Sequence, residues 1–367
     1  MSGSIYGNLF RISSWGESHG KGIGVVVDGC PAGLTLNEEM IQAYLNRRKP
    51  GTTKYSTPRK EDDAVEILSG IFEGKTTGTP ISMIVFNQTQ RSKDYSEIAS
   101  YYRPGHADFT FDAKYGFRDY RGGGRSSGRE TIARVAAGAI ACAILKNLGI
   151  EVTAYTRSIG SVSIDYNKCK KENIMQSPLY MPDIEASQKA EDFLWTKMKE
   201  QDSVGGVVEC IVTGMPAGVG DPVFEKLDAN LAKAIMSIGA VKGIEIGDGF
   251  QVAANMGSSN NDAFVLDRHN SIKKSSNHAG GILGGISDGS EIILRAAFKP
   301  TPSISRMQKT VNKSNEEIDI SVKGRHDPII VPRAVVVVES MTALTLVDAL
   351  FMNMSSRMDK IVKFYEQ

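Results

Sequence analysis

One local pattern occurs twice in this chain, and it limits the fold more than any other feature. Ile23-Gly-Val-Val-Val-Asp28 reads as a short buried strand, Gly29-Cys-Pro-Ala-Gly33 as a turn, and Leu36 to Lys49 as a helix. The helix has Asn37 as its cap, Met40, Ile41, Tyr44 and Leu45 on one face, and Pro50 as its stop. The order returns with Gly206 to Thr213 as strand, Gly214-Met-Pro-Ala-Gly218 as turn and Phe224 to Ile238 as helix. Two copies of strand, G-x-P-A-G and helix predict an internally duplicated fold with two similar sheets.

Other segments give weaker signals. Thr131 to Leu148 is the strongest helix, apolar along Ile132, Val135, Ala136, Ala139, Ile140, Ala143 and Ile144, with Gly149 as the C′ residue. The β-branched run Val331 to Glu339 reads as a strand, and Met341 onward as a helix that ends the chain. Residues 165–203 are polar and read as a peripheral excursion, while Ser258 to Ser276 and Ser303 to Glu317 read as mobile loops. No composition shift or proline-rich linker divides the 367 residues, which favours a single domain over 1–367.

Charge and cysteine usage exclude several classes. Lys+Arg 43 against Asp+Glu 42 leaves no excess of positive charge for a general nucleic-acid binder. An RNA-binding module built on the Arg-Gly segment would also want aromatic residues among its basic ones, and these are missing there. Cys30, Cys142, Cys169 and Cys210 form no C-x-x-C pair, which argues against a zinc site or disulfide framework and fits a reducing cytosol. No apolar run reads as long enough to span a bilayer, and no secretory signal opens the chain.

The chemistry concentrates in loops. Arg121-Gly-Gly-Gly-Arg125-Ser-Ser-Gly-Arg129-Glu130 runs into the strongest helix. Its glycines allow close backbone approach, its arginines and serines bind oxyanions, and the helix start adds free N–H groups. A second basic stretch spans Arg47-Arg48-Lys49, Lys54 and Arg59. Gly16-Glu17-Ser18-His19-Gly20 and Arg103-Pro-Gly-His106 each present an ionisable histidine in a glycine-bearing turn. Lys299-Pro-Thr-Pro-Ser303 offers an ammonium and two hydroxyls on a stiff loop, and Asp327 precedes Pro328. None of the glycine-rich segments is a Rossmann or Walker loop. So many cationic groups predict two anionic ligands, or one ligand with a phosphate and carboxylates.

Taken together, these motifs resemble the chorismate synthase family. They are Trp15-Gly-Glu-Ser-His19-Gly, Arg47-Arg48-x-Pro-Gly51, Asp94-Tyr95, Arg103-Pro-Gly-His106-Ala-Asp108, Lys114 through Glu130, Asn277-His-Ala-Gly-Gly281, Lys299 to Ser303 and Gly324-Arg-His-Asp327-Pro. The resemblance covers nearly the whole chain in the family's order. It implies a lyase that converts 5-enolpyruvylshikimate 3-phosphate to chorismate and phosphate by anti-1,4-elimination, the last step of the shikimate pathway to aromatic amino acids. It implies a requirement for reduced FMN without net redox change. It also implies a large α+β domain with helices sandwiched between two antiparallel sheets, a homotetramer, a cytoplasmic location and no metal.

Residue roles follow from the same resemblance. His19 matches the acid for the departing phosphate, His106 the group against flavin N1, and Asp327 the group acting at flavin N5–H. Ser18, Arg48, Lys54, Arg59, Arg103 and Arg129 match substrate-side positions. Lys54 stands where many relatives carry arginine, so charge is kept and the bidentate fork is lost. Arg125, Ser126, Ser127, Gly239, Ala240, Gly284, Lys299, Pro300, Thr301, Pro302, Ser303 and Arg325 match flavin-side positions. Arg48 and Lys54 are also the positions for an NADP contact, but no separate nicotinamide fingerprint is present. The expectation is therefore a monofunctional enzyme served by an external flavin reductase.

Overall fold

The computed structural model describes residues 3–51, 55, 62–88, 97–322 and 327–366. The first half runs β1 (Ile5–Tyr6), β2 (Arg11–Gly16), β3 (Gly22–Asp28), α1 (Glu38–Arg48), β4 (Val65–Ile67), β5 (Ile71–Phe72), β6 (Lys75–Thr76), β7 (Ile81–Phe86), α2 (Asp108–Tyr115) and α3 (Thr131–Asn147). The second runs β8 (Glu151–Ile159), β9 (Val162–Ser163), α4 (Ile184–Lys199), β10 (Gly206–Thr213), α5 (Leu227–Met236), β11 (Val241–Ile246), α6 (Gly257–Asn260) and β12 (Phe264–Leu266). It continues through β13 (Ile272–Lys274), β14 (Ile282–Leu283), β15 (Ile286–Ser287), β16 (Ile292–Phe298), β17 (Gln308–Val311), β18 (Glu317–Ile320), α7 (Val331–Asn353) and α8 (Met358–Tyr365).

The two large sheets have equivalent connectivity in four of their five strands. One is ordered β1-β2-β3-β7-β4 and the other β11-β16-β10-β8-β9, and every pairing in both is antiparallel. Read along the chain, β2, β3, α1, β4, β7 and α3 correspond to β8, β10, α5, β11, β16 and α7. The small hairpins β5–β6 and β14–β15 occupy equivalent places. The G-x-P-A-G turns are pinned identically. Thr76 Oγ1 donates to Pro31 O (2.6 Å) and accepts from Leu34 N (3.0 Å). Ser287 Oγ donates to Pro216 O (2.6 Å) and accepts from Val219 N (3.0 Å). The predicted duplication is thus present in topology and in hydrogen bonding.

The helices lie between the sheets. α1 and α3 cover the first sheet, α5 and α7 the second, and α3 packs on α7. The inner faces follow the two-residue period of strands: Ile23, Val25 and Val27 register with Val85, Met83 and Ile81. Val208, Cys210 and Val212 register with Ala296, Leu294 and Ile292. All twelve belong to one contiguous buried cluster with the helix cores. A Cβ at Gly138 of α3 would lie 2.2 Å from the Ser340 Cβ of α7, so this glycine permits the close helix crossing. Asn37 caps α1 by accepting from Met40 N, and Gly149 has the expected positive φ of 73° after α3.

Three local readings need correction. Val331 to Glu339 is not a strand but the first part of α7. Pro332 sits in the first helical turn, where its missing N–H costs nothing. Each valine there costs a few tenths of a kcal/mol in helix propensity, against roughly 1.5–3 kcal/mol from burial, so packing overrides local preference. Among the described residues α7 is the one helix long and apolar enough to cross a bilayer, although 78% of that window is buried inside the protein. The segments read as mobile loops contain the hairpin β12–β13 and the strand β17 with the turn that leads into β18, with Asn270 and Asn315 at positive φ beside the two turns. The 165–203 segment contributes Leu179, Met181, Ala190 and Leu194, all fully buried, to the core.

Candidate active site

The turn between β2 and β3 carries Ser18 and His19, both buried. Ser18 Oγ lies 3.1 Å from His19 Nδ1 and donates to Gly122 O at 3.3 Å. The glycine loop closes on this histidine. A Cβ at Gly122 would lie 2.2 Å from His19 Cε1, and its φ of +65° disfavours side chains as well. Asn87, just after β7, holds the turn by donating to Glu17 O and Gly20 O, both at 2.9 Å.

Five further charged groups continue from this turn. Arg129 donates through Nε to Asn87 Oδ1 at 3.0 Å, and its Nη1 is 3.2 Å from Asp63 Oδ1. Arg48, at the C-terminal end of α1, pairs with Asp63 Oδ2. The side chains of Arg48 and Asp63 are 1% and 0% exposed, so this pair is fully desolvated. Arg333, in the first turn of α7, donates to Arg48 O at 2.9 Å and to Asp327 Oδ2 at 2.5 Å. Burial pushes the Arg333 guanidinium down from its ordinary pKa, and Asp327 opposes that. The chain of contacts therefore runs from His19 to Asp327 through groups far apart in sequence.

A second group faces the other histidine. Arg103 makes a two-toothed contact with Asp108 at 2.8 Å through Nε and Nη2. Burial alone would raise the Asp108 pKa, but hydrogen bonds and charge from Arg103 hold it below the usual carboxylate range. The β17–β18 hairpin braces this segment: Tyr102 N donates to Val311 O, and Lys313 N to Ser100 O. His106 Nε2 is 2.7 Å from Ser303 Oγ, and Lys299 donates to Gly105 O at 2.7 Å. Gly105 is required here, because a Cβ would meet Pro302 at 2.8 Å. Burial and then the charge of Lys242 hold the Lys299 ammonium below its ordinary range. Among the described residues the buried Thr301 Oγ1 has no hydrogen-bond partner and Lys299 has no ion-pair partner. An ammonium and an unbonded hydroxyl on one short loop are a donor set that fits a phosphate group, such as that of FMN.

The two groups are connected. Val204 N donates to Pro328 O, next to Asp327, and Ser203 Oγ donates to Thr301 O at 2.7 Å. Ala240 has φ +72°, unusual for a residue with a side chain, and its carbonyl accepts from Lys299 N. Gly239 precedes it with open space where a Cβ would stand. Arg134 ties this turn to α3, with Nη1 donating to Ser237 Oγ at 2.6 Å and Nε paired with Glu130.

The remaining expected residues are placed as follows. Arg125 grips β2, donating to Gly16 O at 3.1 Å and Ser14 Oγ at 2.7 Å. Ser126 Oγ donates to Gly123 O, and Ser127 Oγ accepts from Arg129 N. Arg121 is paired with Asp119 at the surface. Gly284 stands at the exposed tip of the β14–β15 hairpin, outside this set of contacts. Lys54, Arg59 and Arg325 lie outside the described residues. Sequence reasoning missed Asp63, Asn87 and Arg333. Asp63 and Asn87 have partners remote in sequence, and Arg333 was hidden by the strand reading of its segment.

Comparison with known proteins agrees with these motifs. The sequence profile of chorismate synthase matches residues 10–351. Chorismate synthase of Lachnoclostridium phytofermentans is 72% identical over 367 residues, covering 100% of both chains. That of Methanosarcina mazei is 53% identical over 352 residues, covering 95% of this chain and 96% of its own. A crystal structure of chorismate synthase superimposes with a TM-score of 0.77 at 32% identity, covering 98% of this chain and 97% of the other. Matches of this length and identity establish that the chain belongs to the chorismate synthase family.

Proposed function

We propose that this chain converts 5-enolpyruvylshikimate 3-phosphate to chorismate and phosphate. The C3–O bond breaks with its electron pair leaving on phosphate. The C6–H bond breaks with its pair retained in the ring and its proton passed out of the site by way of the Asp327 carboxylate, so no net oxidation occurs. The observation that carries this reading is the convergence of Arg48 and Arg129 on one buried carboxylate, with Asn87 tying Arg129 to the turn that carries His19, and with a second group at His106 and Lys299 linked to it.

Each residue's part follows from its surroundings. Arg48 and Arg129 carry the charge that develops on the departing phosphate, and one such fixed donor is worth roughly 10²–10³ in rate. His19 supplies a proton to that phosphate, with Ser18 orienting its ring. A positioned acid of this kind contributes about 10²–10⁴. Arg103, held by Asp108, takes a substrate carboxylate. Asp327 is kept in place by Arg333 beside the ring-facing part of the site. Lys299, Thr301 and Ser303 would hold the FMN phosphate, with Arg125 to Ser127, Gly239 and Ala240 along the flavin and His106 at its N1. Reduced FMN, when bound, supplies an electron-rich ring that stabilises an electron-poor substrate.

The reading extends to a single domain over 1–367, a cytoplasmic homotetramer and a monofunctional enzyme that depends on an external reductase. The deciding assay is anaerobic phosphate release from the named substrate with photoreduced FMN, where absence of release refutes the reaction. Turnover with NADPH and oxidised FMN alone would refute the monofunctional assignment.

A further inference from the structure

Asn87 makes three hydrogen bonds with one amide, and each chemical identity in them is forced. Glu17 O and Gly20 O are backbone carbonyls and can only accept, so the atom facing both at 2.9 Å is the NH₂ group. The Arg129 Nε–H can only donate, so the atom facing it at 3.0 Å is the carbonyl oxygen. Both amide hydrogens are used and the group cannot flip without losing all three bonds. Its backbone is fixed as well. Asn87 N donates to Lys21 O at 3.0 Å, one step beyond the Gly22–Phe86 pairing of β3 with β7.

The bonded partners flank the two groups that meet the leaving phosphate in the reading above. Glu17 and Gly20 bracket Ser18-His19, so two of the bonds clamp the ends of the histidine turn. The third sets the direction of the Arg129 guanidinium, whose other side is held by Asp63. We infer that Asn87 is a positioning residue that fixes His19 and Arg129 relative to each other, so that proton donor and guanidinium reach the same phosphate. This rests on the proposed reaction only for the identity of that phosphate.

The two functions of the amide can be separated by substitution. Asn87→Asp keeps the shape and an acceptor for Arg129, but it replaces both donors with an anionic oxygen facing two carbonyls. The His19 turn is released while the arginine contact is retained. Asn87→Ala removes all three bonds. In Asn87→Asp the substrate Kd should stay within about threefold, while kcat falls by about 10². In Asn87→Ala, Kd should rise and kcat should fall. Because the kcat effect acts through His19, adding Asn87→Asp to His19→Ala should lower kcat by less than about threefold more.

The inference is overturned if Asn87→Asp turns over within threefold of the unaltered enzyme, or if the double variant shows the full product of the two losses. A failure of the proposed reaction looks different, since the unaltered enzyme then releases no phosphate. In that case NMR of the His19 ring in the intact protein still decides. Ring shifts should move in Asn87→Asp, and unmoved shifts overturn the positioning role.

Discussion

Replacing Asp63 with asparagine removes the one carboxylate shared by Arg48 and Arg129 while keeping its size. The Asp63 and Arg48 side chains are 0% and 1% exposed, so water cannot replace the charge lost beside Arg48 without opening the core, while Arg129 keeps 9% of its side chain exposed. Breaking a buried pair from one side costs about 3–5 kcal/mol, because the surviving charge stays desolvated. At about 2.1 cal/mol/K of unfolding entropy per residue, the 367 residues give roughly 0.8 kcal/mol/K. The expected fall in Tm is therefore about 4–7 °C. Calorimetry of both proteins without ligand measures this. Inorganic phosphate supplies an anion to the exposed edge of Arg129, so it should raise the Tm of Asp63→Asn more than that of the unaltered protein. A fall of less than about 1 °C, or equal stabilisation of both proteins by phosphate, would refute the reasoning.

Three other outcomes are expected. His19→Ala and His106→Ala should each cut turnover by about 10²–10⁴ with unchanged Tm, and near-normal phosphate release in either variant removes that histidine from the chemistry. Glu339→Ala leaves the partly buried Arg47 without its two-toothed partner on α7 and should cost up to about 3 kcal/mol, whereas Arg47→Met with Glu339→Leu should cost far less, as urea midpoints will show. Finally, Asp108 and Asp262 are both held below the ordinary carboxylate range. The folded state then binds fewer protons than the unfolded one, so this stability is present above about pH 4 and is lost as pH falls through the folded-state values. Urea midpoints should drop on acidification below about pH 4, and a flat profile there would contradict it.

What could be read from the sequence was what short range determines. The G-x-P-A-G turns are visible because positive φ at Gly29, Gly33, Gly214 and Gly218 selects glycine. Their pins, Thr76 and Ser287, are invisible because they act from distant hairpins. The histidine, Arg-Gly and Lys-Pro loops are visible because each packs its chemistry into a few adjacent residues. Asp63 and Asn87 are ordinary residues at a strand entrance and a strand end, and only the fold gives them arginines to hold. Arg333 was lost for a different reason. Four consecutive valines follow it, and β-branched preference outweighed the proline that marks a helix start.

The duplication also explains why the anion-binding groups gather where they do. α3 and α7 are equivalent elements that cross closely at Gly138 and Ser340. Arg129 precedes the first turn of α3, and Arg333 lies within the first turn of α7. The two arginines are joined through Arg48 and Asp63, so the starts of the two helices are brought to one network. Each helix start carries about half a positive charge in its unpaired N–H groups. A fold built from one repeat would place a single such end at a sheet edge. Two repeats meeting face to face bring two together, and the turn carrying His19 is held against them by Asn87. The same packing that buries the apolar faces of α3 and α7 thus concentrates positive charge beside a histidine, the arrangement a departing phosphate requires.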